Sequence, residues 1–333
     1  MTAQLVRALG LLHATAPPER RGIRRDGVGL LVTDRAARTH AHERFFNLPA
    51  ILRTGDLLVV NDSATLPAAL SAVRTNGDTL ALHVATMIDR RLWMAEPRGT
   101  VLSGEELELP DGGSAVMIAP VDPEHPRLWY TWFQLPLPMV AYLERHGAPI
   151  RYGYVTQPFP LSDYQTMFAR NSGSSEMPSA ARPFTPRVTR ALKRAAIELV
   201  AITLHCGVAS FERPERPAAE RYAVSREAAD LVNRARSERR RVIAVGSTVL
   251  RALESAEHNG ELAASSGWTD LVIDEHYHVR TVDALLTGFH DATATHQSLL
   301  RAFLAPKLLQ EAYAAAADQG YYAHEFGDVH LIL

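Results

Sequence analysis

The sequence predicts a mixed α/β protein: a larger α/β domain formed by residues 1–68 and 151–333, with a smaller β-barrel domain, residues 69–150, inserted in it. Three observations carry this prediction. The runs Gly29 to Asp34 and Gly55 to Asp62 are apolar, begin at a glycine and end in polar residues, as buried strands do. Between about 69 and 150 the texture changes to short alternating segments, such as Thr79 to Val84 and Arg91 to Glu96, separated by Gly, Pro and Asp, which suits a small barrel. After Pro149 helix and strand periods alternate, the mark of an α/β layer architecture.

The elements of the second half follow in order. Thr185 followed by Pro186 combines a cap residue with proline at the first helical position, and Val188, Leu192 and Ala195 or Ala196 give that helix an apolar stripe. Ile197 to Leu204 reads as a strand, Ser225 to Glu238 as a helix, and Val242 to Val245 as a strand leading into Gly246-Ser247-Thr248 and a helix ending near Gly260. Leu271 to Ile273 and Val282 to Leu286 complete the strand set, and Lys307 to Ala317, just after Pro306, is rich in good helix formers. In such folds the chemistry gathers at the carboxyl ends of the strands.

A length of 333 residues suits about two domains on the usual prior of roughly 150 residues each. Hydrophobic residues make up 47% and charged residues 22%, enough for a large core and against disorder. A net charge of -2 supplies no overall basic field, so any nucleic-acid contact needs a local patch. No segment approaches the roughly 20 apolar residues that span a bilayer, so a cytoplasmic protein without a membrane partner is expected. The single cysteine, Cys206, excludes an intramolecular disulfide and is either a small buried hydrophobe or a nucleophile.

Several polar clusters stand at strand ends. Gly246-Ser247-Thr248 opens a helix, so free N–H groups and two hydroxyls face an anionic or polar ligand, unless the turn is simply capped. Neither G-x-G-x-x-G nor G-x-x-x-x-G-K-[ST] occurs, against a dinucleotide site or a P-loop. His205 and His290 end strands near glycines and aromatics, where an imidazole can move protons, whereas His276, His278 and His296 lie in more polar runs. His276-x-His278 lacks a third ligand at a useful spacing, so no metal is expected. Asp62, Asp283 and Asp328 adjoin apolar strands and must pair, cap or bind ligand. Glu254 points either inward or to solvent. Tyr164, Phe211 and Phe289 offer faces for a purine or a cation, or belong to the core.

In register, these segments resemble the S-adenosylmethionine:tRNA ribosyltransferase-isomerase family of the queuosine pathway over nearly the whole chain. Gly55-Asp56-Leu57-Leu58-Val59-Val60-Asn61-Asp62-Ser63 resembles G-D-L-L-V-x-N-D-T, and Tyr164-Gln165-Thr166-Met167-Phe168-Ala169 is similar to Y-Q-T-V-Y-A. Thr203-Leu204-His205-Cys206-Gly207 follows T-L-H-V-G, Gly246-Ser247-Thr248-Val249-Leu250-Arg251 follows G-T-T-S-V-R, and Thr287-Gly288-Phe289-His290 follows T-N-F-H. Leu66-Pro67-Ala68-Ala69-Leu70 is similar to I-P-A-R-L, and Phe326-Gly327-Asp328 to the end of S-Y-G-D.

The resemblance implies the inserted barrel and S-adenosylmethionine as co-substrate, with no metal. Its sulfonium acidifies the adjacent C5′ proton; a base removes it, adenine leaves, the ribosyl fragment passes to the aminomethyl group of a 7-deazaguanine in tRNA, and closure to an epoxycyclopentane releases methionine. It implies His205 or His290 for proton transfer with Asp283 orienting. Asn61, Asp62, Tyr164, Gln165, Thr166, Gly207, Phe211, Gly246, Ser247, Thr248, Arg251, Thr287 and Phe289 would bind substrate. The chain departs from the family at Ala64 and Ala69, which replace arginines, at Glu176, and at Pro183, which replaces a histidine. These departures hold open a second reading, in which the same co-substrate is used on a small-molecule acceptor, or cleaved, without tRNA.

Overall fold

The computed structural model describes residues 11–208, 217–290 and 295–333. The main domain opens with β1 (Gly29–Asp34), β2 (Thr39–Arg44) and β3 (Leu57–Asn61). Six strands follow: β4 (Ala69–Arg74), β5 (Thr79–Met87), β6 (Leu92–Pro97), β7 (Glu106–Leu109), β8 (Gly113–Pro120) and β9 (Trp129–Gln134). The chain then forms helix α1 (Met139–His146) and α2 (Pro186–Arg194), and continues through β10 (Glu198–Leu204), β11 (Glu220–Val224), α3 (Arg226–Ser237), β12 (Val242–Val245) and α4 (Ser247–Ala256). It ends with β13 (Ser265–Thr269), β14 (Ala284–Gly288), α5 (Pro306–Asp318) and β15 (Val329–Ile332).

Nine strands make one sheet in the order β13-β11-β10-β3-β12-β14-β15-β1-β2, and β4 to β9 close into a barrel in the order β8-β9-β6-β5-β4-β7. The mixed α/β class with a small barrel is therefore observed. The run β10-β3-β12-β14 is parallel. β3, β12 and β14 read as apolar runs because both sheet faces are covered there. Leu57 and Val59 of β3 face the layer of α3, α4 and α5, while Leu58 and Val60 face the opposite layer with Phe45, Phe184, Val188 and Leu192. Side-chain alternation places Val242 and Ala244 of β12 in the first layer and Ile243 and Val245 in the second.

Local signals fix the helix starts. Thr185 accepts a hydrogen bond from the Val188 N–H at 3.3 Å, with Pro186 in the first turn, and Ser225 accepts one from the Ala228 N–H at 3.1 Å. Where the chain leaves for the barrel and returns, Ala69 and Ala148 exchange backbone hydrogen bonds of 2.8 and 2.9 Å, so the two crossings pin each other. Within the barrel, burial opposes ionisation of Glu96, but hydrogen bonds from His83 and Arg127 and the charges of Arg127 and Arg98 hold it down at about 2. Arg127 also donates to the Val208 carbonyl at 3.2 Å, joining the barrel to the end of the β10 segment.

One predicted strand is absent. Residues 271–273 are irregular; the edge strand is β13, whose Ser265-Ser266-Gly267-Trp268-Thr269 pairs antiparallel with β11. Leu271 and Ile273 pack against the core instead, which satisfies their hydrophobicity without a ladder. The antiparallel strands β2 and β11 also carry no strong apolar signature of their own.

The sheet buries two imidazoles. His330 on β15 shares Thr33 Oγ1 (2.7 Å) with His40 (2.9 Å), and His296 meets Thr287 Oγ1 at 2.9 Å. Burial, then the neighbouring His330, depresses His296 to about 4; burial, then His40, depresses His330 to about 3. Both lie below the ordinary 6.5, so the unfolded chain takes up protons first: stability is complete above pH 6.5 and is lost as the pH falls toward the two folded values. A tenfold difference in proton affinity between the folded and unfolded chain is worth about 1.4 kcal/mol. Denaturant titrations between pH 6.5 and about 5, above most carboxylate titration, should show wild-type stability falling with acid. His330→Asn, uncharged throughout, should flatten that slope; equal slopes would refute the account.

Candidate functional site

The carboxyl ends of the parallel strands converge on two neighbouring polar clusters. The first is built around Asn61, fully buried at the end of β3. Its Nδ2 donates to the Leu204 carbonyl (2.8 Å) and Thr248 Oγ1 (3.3 Å), and its Oδ1 accepts from the Ser63 and Leu204 N–H groups (3.0 and 3.1 Å). Asn61 thus joins β3, β10 and α4 and directs its polar atoms to protein. The short strands Ser63–Thr65 and Asn171–Ser174 pair in parallel beside it.

From this frame a hydroxyl relay runs to His205. The Cys206 N–H donates to Ser174 Oγ (2.9 Å), Ser174 Oγ meets Ser63 Oγ (2.6 Å), and Ser63 Oγ meets His205 Nδ1 (2.8 Å). Gly173 lies against the ring, where a Cβ would stand 2.5 Å from Nδ1, so no larger residue fits without moving the imidazole. Burial, then the charge of Arg221, pushes the His205 pKa below the ordinary imidazole value, leaving a neutral ring able to accept a proton at neutral pH. Beside it Asp62 accepts from Thr203 Oγ1 at 2.6 Å and from Asn171 Nδ2 at 3.1 Å, at the head of an open groove of about 770 Å³ along β10, β11 and β13.

The second cluster lines a cavity of about 100 Å³ below the barrel, walled by Thr65, Tyr152, Tyr154, Tyr164, Glu176, His290, His324 and Glu325 among others. Tyr152 donates to Glu176, and Tyr154 donates to Glu325 at 2.5 Å. The Tyr154 ring stacks on His324 with centroids 4.2 Å apart. Burial raises the Glu325 pKa, and burial followed by the Glu325 charge pushes Tyr164 up to about 12, so its phenol is protonated at neutral pH. Tyr164 and Thr65 are each 4% exposed, and their buried hydroxyls have no hydrogen-bond partner among the described residues. Gln165 clamps Thr65 by accepting from its N–H (2.9 Å) and donating to its carbonyl (2.7 Å).

The other sequence candidates divide. Gly246 takes φ +98°, where glycine is favoured, and with Ser247 and Thr248 opens α4 beside Ala180. The Gly207 N–H donates to buried Glu220 at 2.8 Å, and Glu220 pairs with Arg251, which also donates to the Leu271 and Thr269 carbonyls at 3.0 and 3.1 Å. Arg251 is therefore turned toward the β11 and β13 backbone. Thr166 accepts from the Phe168 N–H in a turn, and Thr287 is buried against His296. Glu254 points inward, holding the 277–281 segment through Tyr277 and the Arg280 and Thr281 N–H groups. Cys206 is buried, its thiol pKa raised by burial and then by Glu220, as an inert hydrophobe. Asp328 accepts from the Gly29 and Tyr322 N–H groups at 2.5 and 2.7 Å.

Two expectations need correction. Asp283 lies exposed at the amino end of β14, accepting from the Val242 N–H at 2.8 Å, so the five-residue strand, about 17 Å long, separates it from His290. It orients neither histidine. Phe289 is fully buried against Tyr313, Tyr321 and His330, with no face left for a purine. Phe211 lies outside the described residues. His205 does not line the cavity that His290 lines. The sequence reading missed Thr65, Tyr152, Tyr154, Glu176 and Glu325; the signal for Glu176 was a charge introduced into a family motif.

Among the described residues no group of three or more His, Cys, Asp or Glu side chains has a metal-binding arrangement, and no helix is long and apolar enough to cross a membrane. The family model for queuosine biosynthesis protein matches residues 11–332. S-adenosylmethionine:tRNA ribosyltransferase-isomerases from Moorella thermoacetica and Thermus thermophilus are 36% and 38% identical, over 93% and 88% of this chain and 94% and 88% of their own. The crystal structure of an S-adenosylmethionine tRNA ribosyltransferase from Thermotoga maritima superposes with a TM-score of 0.55 at 27% identity, covering 97% of this chain and 96% of that one. Its sequence relatives, the family match and the shared barrel-bearing α/β fold together make this chain a member of the S-adenosylmethionine:tRNA ribosyltransferase-isomerase family.

Proposed function

We propose that the protein transfers and isomerises the ribosyl moiety of S-adenosylmethionine onto a 7-aminomethyl-7-deazaguanine base in tRNA, releasing adenine and methionine, with residues 69–150 as its inserted barrel domain. The observation that carries this reading is near full-length similarity to relatives bearing that activity in their names, at 31–38% identity. The geometry supports it at the carboxyl edge, where a neutral imidazole, a helix N-terminus and an acidic, aromatic cavity adjoin.

The work asked of the protein is proton movement and positioning. C5′–H deprotonation next to the sulfonium needs a base that is uncharged near neutrality, and His205 has the depressed pKa for it, with the Ser63–Ser174 relay fixing its ring. His290, in the cavity wall, is the second candidate, suited to a later proton transfer. The Gly246 N–H is taken by the Leu286 carbonyl (2.8 Å), and the Ser247 and Thr248 N–H groups in the uncapped first turn of α4 are the ones that would serve a carboxylate or a ring nitrogen. Glu220 and Arg251 act at one remove, holding Gly207 in the loop after His205.

Incubation with S-adenosylmethionine and tRNA carrying the aminomethyl base should yield adenine, methionine and a modified nucleoside, all separable by chromatography. Turnover of S-adenosylmethionine without a modified nucleoside would replace tRNA by a small acceptor. Alanine at both His205 and His290 should abolish adenine release; release at the wild-type rate would sink the proton-transfer assignment. Gly173→Ala, whose new methyl must displace the His205 ring, should lower kcat about 100-fold while leaving S-adenosylmethionine affinity near wild type. An unchanged kcat would remove His205 from the reaction.

A further inference from the structure

We infer that the cavity walled by Thr65, Tyr164, Glu176 and Glu325 is a seat for a primary ammonium group. The inference rests on the proposed activity only for the identity of the guest. Glu176 and Glu325 give the wall its sign, and neither lysine nor arginine lines it among the described residues. Arg182, which acts on Glu325 from behind, is itself buried and engaged with Glu19 and the Asp163 carbonyl. A carboxylate or phosphate would meet two acidic side chains there.

Hydrogen bonding narrows the cation. The Tyr164 and Thr65 hydroxyls are buried and unpartnered among the described residues, an arrangement that costs free energy unless a guest pairs them. An ammonium brings three N–H donors to the hydroxyl and carboxylate oxygens. A sulfonium brings none, and would leave both hydroxyls unpaired. A volume of about 100 Å³ has room for an aminomethyl group. Within the proposed reaction two groups meet this description: the α-ammonium of S-adenosylmethionine and the aminomethyl group of the acceptor base.

The test begins with methylammonium and tetramethylammonium chloride, added to the full chain at matched ionic strength while thermal unfolding is followed. Methylammonium should raise Tm more than tetramethylammonium in the wild type, and the difference should vanish in Glu176→Gln and Glu325→Gln. Equal shifts from the two ions, or an undiminished difference in both variants, overturns the seat. Tyr164→Phe supplies a control for fold: loss of an unpaired buried hydroxyl should leave Tm unchanged or higher without ligand while reducing the preference for methylammonium. A preference kept in full by that variant counts against the seat.

The guest is then assigned in Glu176→Gln. Weakening of S-adenosylmethionine binding by about tenfold or more, with its deamino analogue unaffected, assigns the α-ammonium; an increase of about tenfold in KM for the tRNA at unchanged S-adenosylmethionine affinity assigns the acceptor amine. Neither change, in a wild type that turns over, refutes the role of the cavity in substrate binding. A wild type that prefers methylammonium yet releases no adenine sinks the proposed activity and leaves the ammonium seat standing.

Discussion

The carboxyl edge of the sheet depends on the amide of Asn61. An asparagine is one of the few side chains that can accept two backbone N–H groups through one end while donating to a carbonyl and a hydroxyl through the other. A carboxylate could not donate to Leu204 and Thr248, and an apolar residue would strand the Ser63 and Leu204 N–H groups in a buried site, at about 1–3 kcal/mol each. Because the same amide touches β3, β10 and α4, it sets the spacing between the Ser63 strand, the His205 loop and the Gly246 turn. The functional elements inherit their geometry from a residue that spends its own polar atoms on structure.

From that anchor the segment 171–177 works as a seam. Asn171 to Ser174 pairs with Ser63 to Thr65, Ser174 joins the relay to His205, and Ser175 donates hydrogen bonds to the Cys206 carbonyl (2.7 Å) and the barrel's Ala85 carbonyl (2.6 Å). Glu176 then enters the cavity wall. One extended stretch thus couples the imidazole, the barrel and the acidic cavity, and Ser63 and Thr65, two residues apart, serve different clusters. A shift of one residue in that pairing would misplace both clusters together.

The central strands were legible because burial on both faces writes itself as continuous apolar sequence, and the α2 and α3 starts because Thr185 and Ser225 cap in the ordinary way. β13 was not, since its Ser-Ser-Gly-Trp-Thr is held by backbone pairing with β11 rather than by apolar pattern. The site was half legible. His205 and the Gly246 turn stand at strand ends as expected, but Asp283 and His290, seven positions apart in sequence, are divided by the extended strand that makes the motif recognisable. Phe289 alternates with Gly288 and His290 and so turns into the core. The cavity was illegible because Thr65, Tyr152, Glu176 and Glu325 come from four separate segments, and only the fold makes them neighbours.

Size gives the arrangement its logic. Leu199, Ala201 and Thr203 project from the less covered face of β10 and floor a groove of about 770 Å³, while the cavity holds only about 100 Å³. A macromolecular acceptor would have the open groove to lie against, while the buried acids and hydroxyls sit in the smaller cavity. Selectivity for an acceptor of this kind would then come from two contributions that need not compensate each other: broad, salt-sensitive surface contact outside and a few directed hydrogen bonds inside. An acceptor lacking the amine would keep the first and forfeit the second, because it brings no N–H group to the Tyr164 and Thr65 hydroxyls.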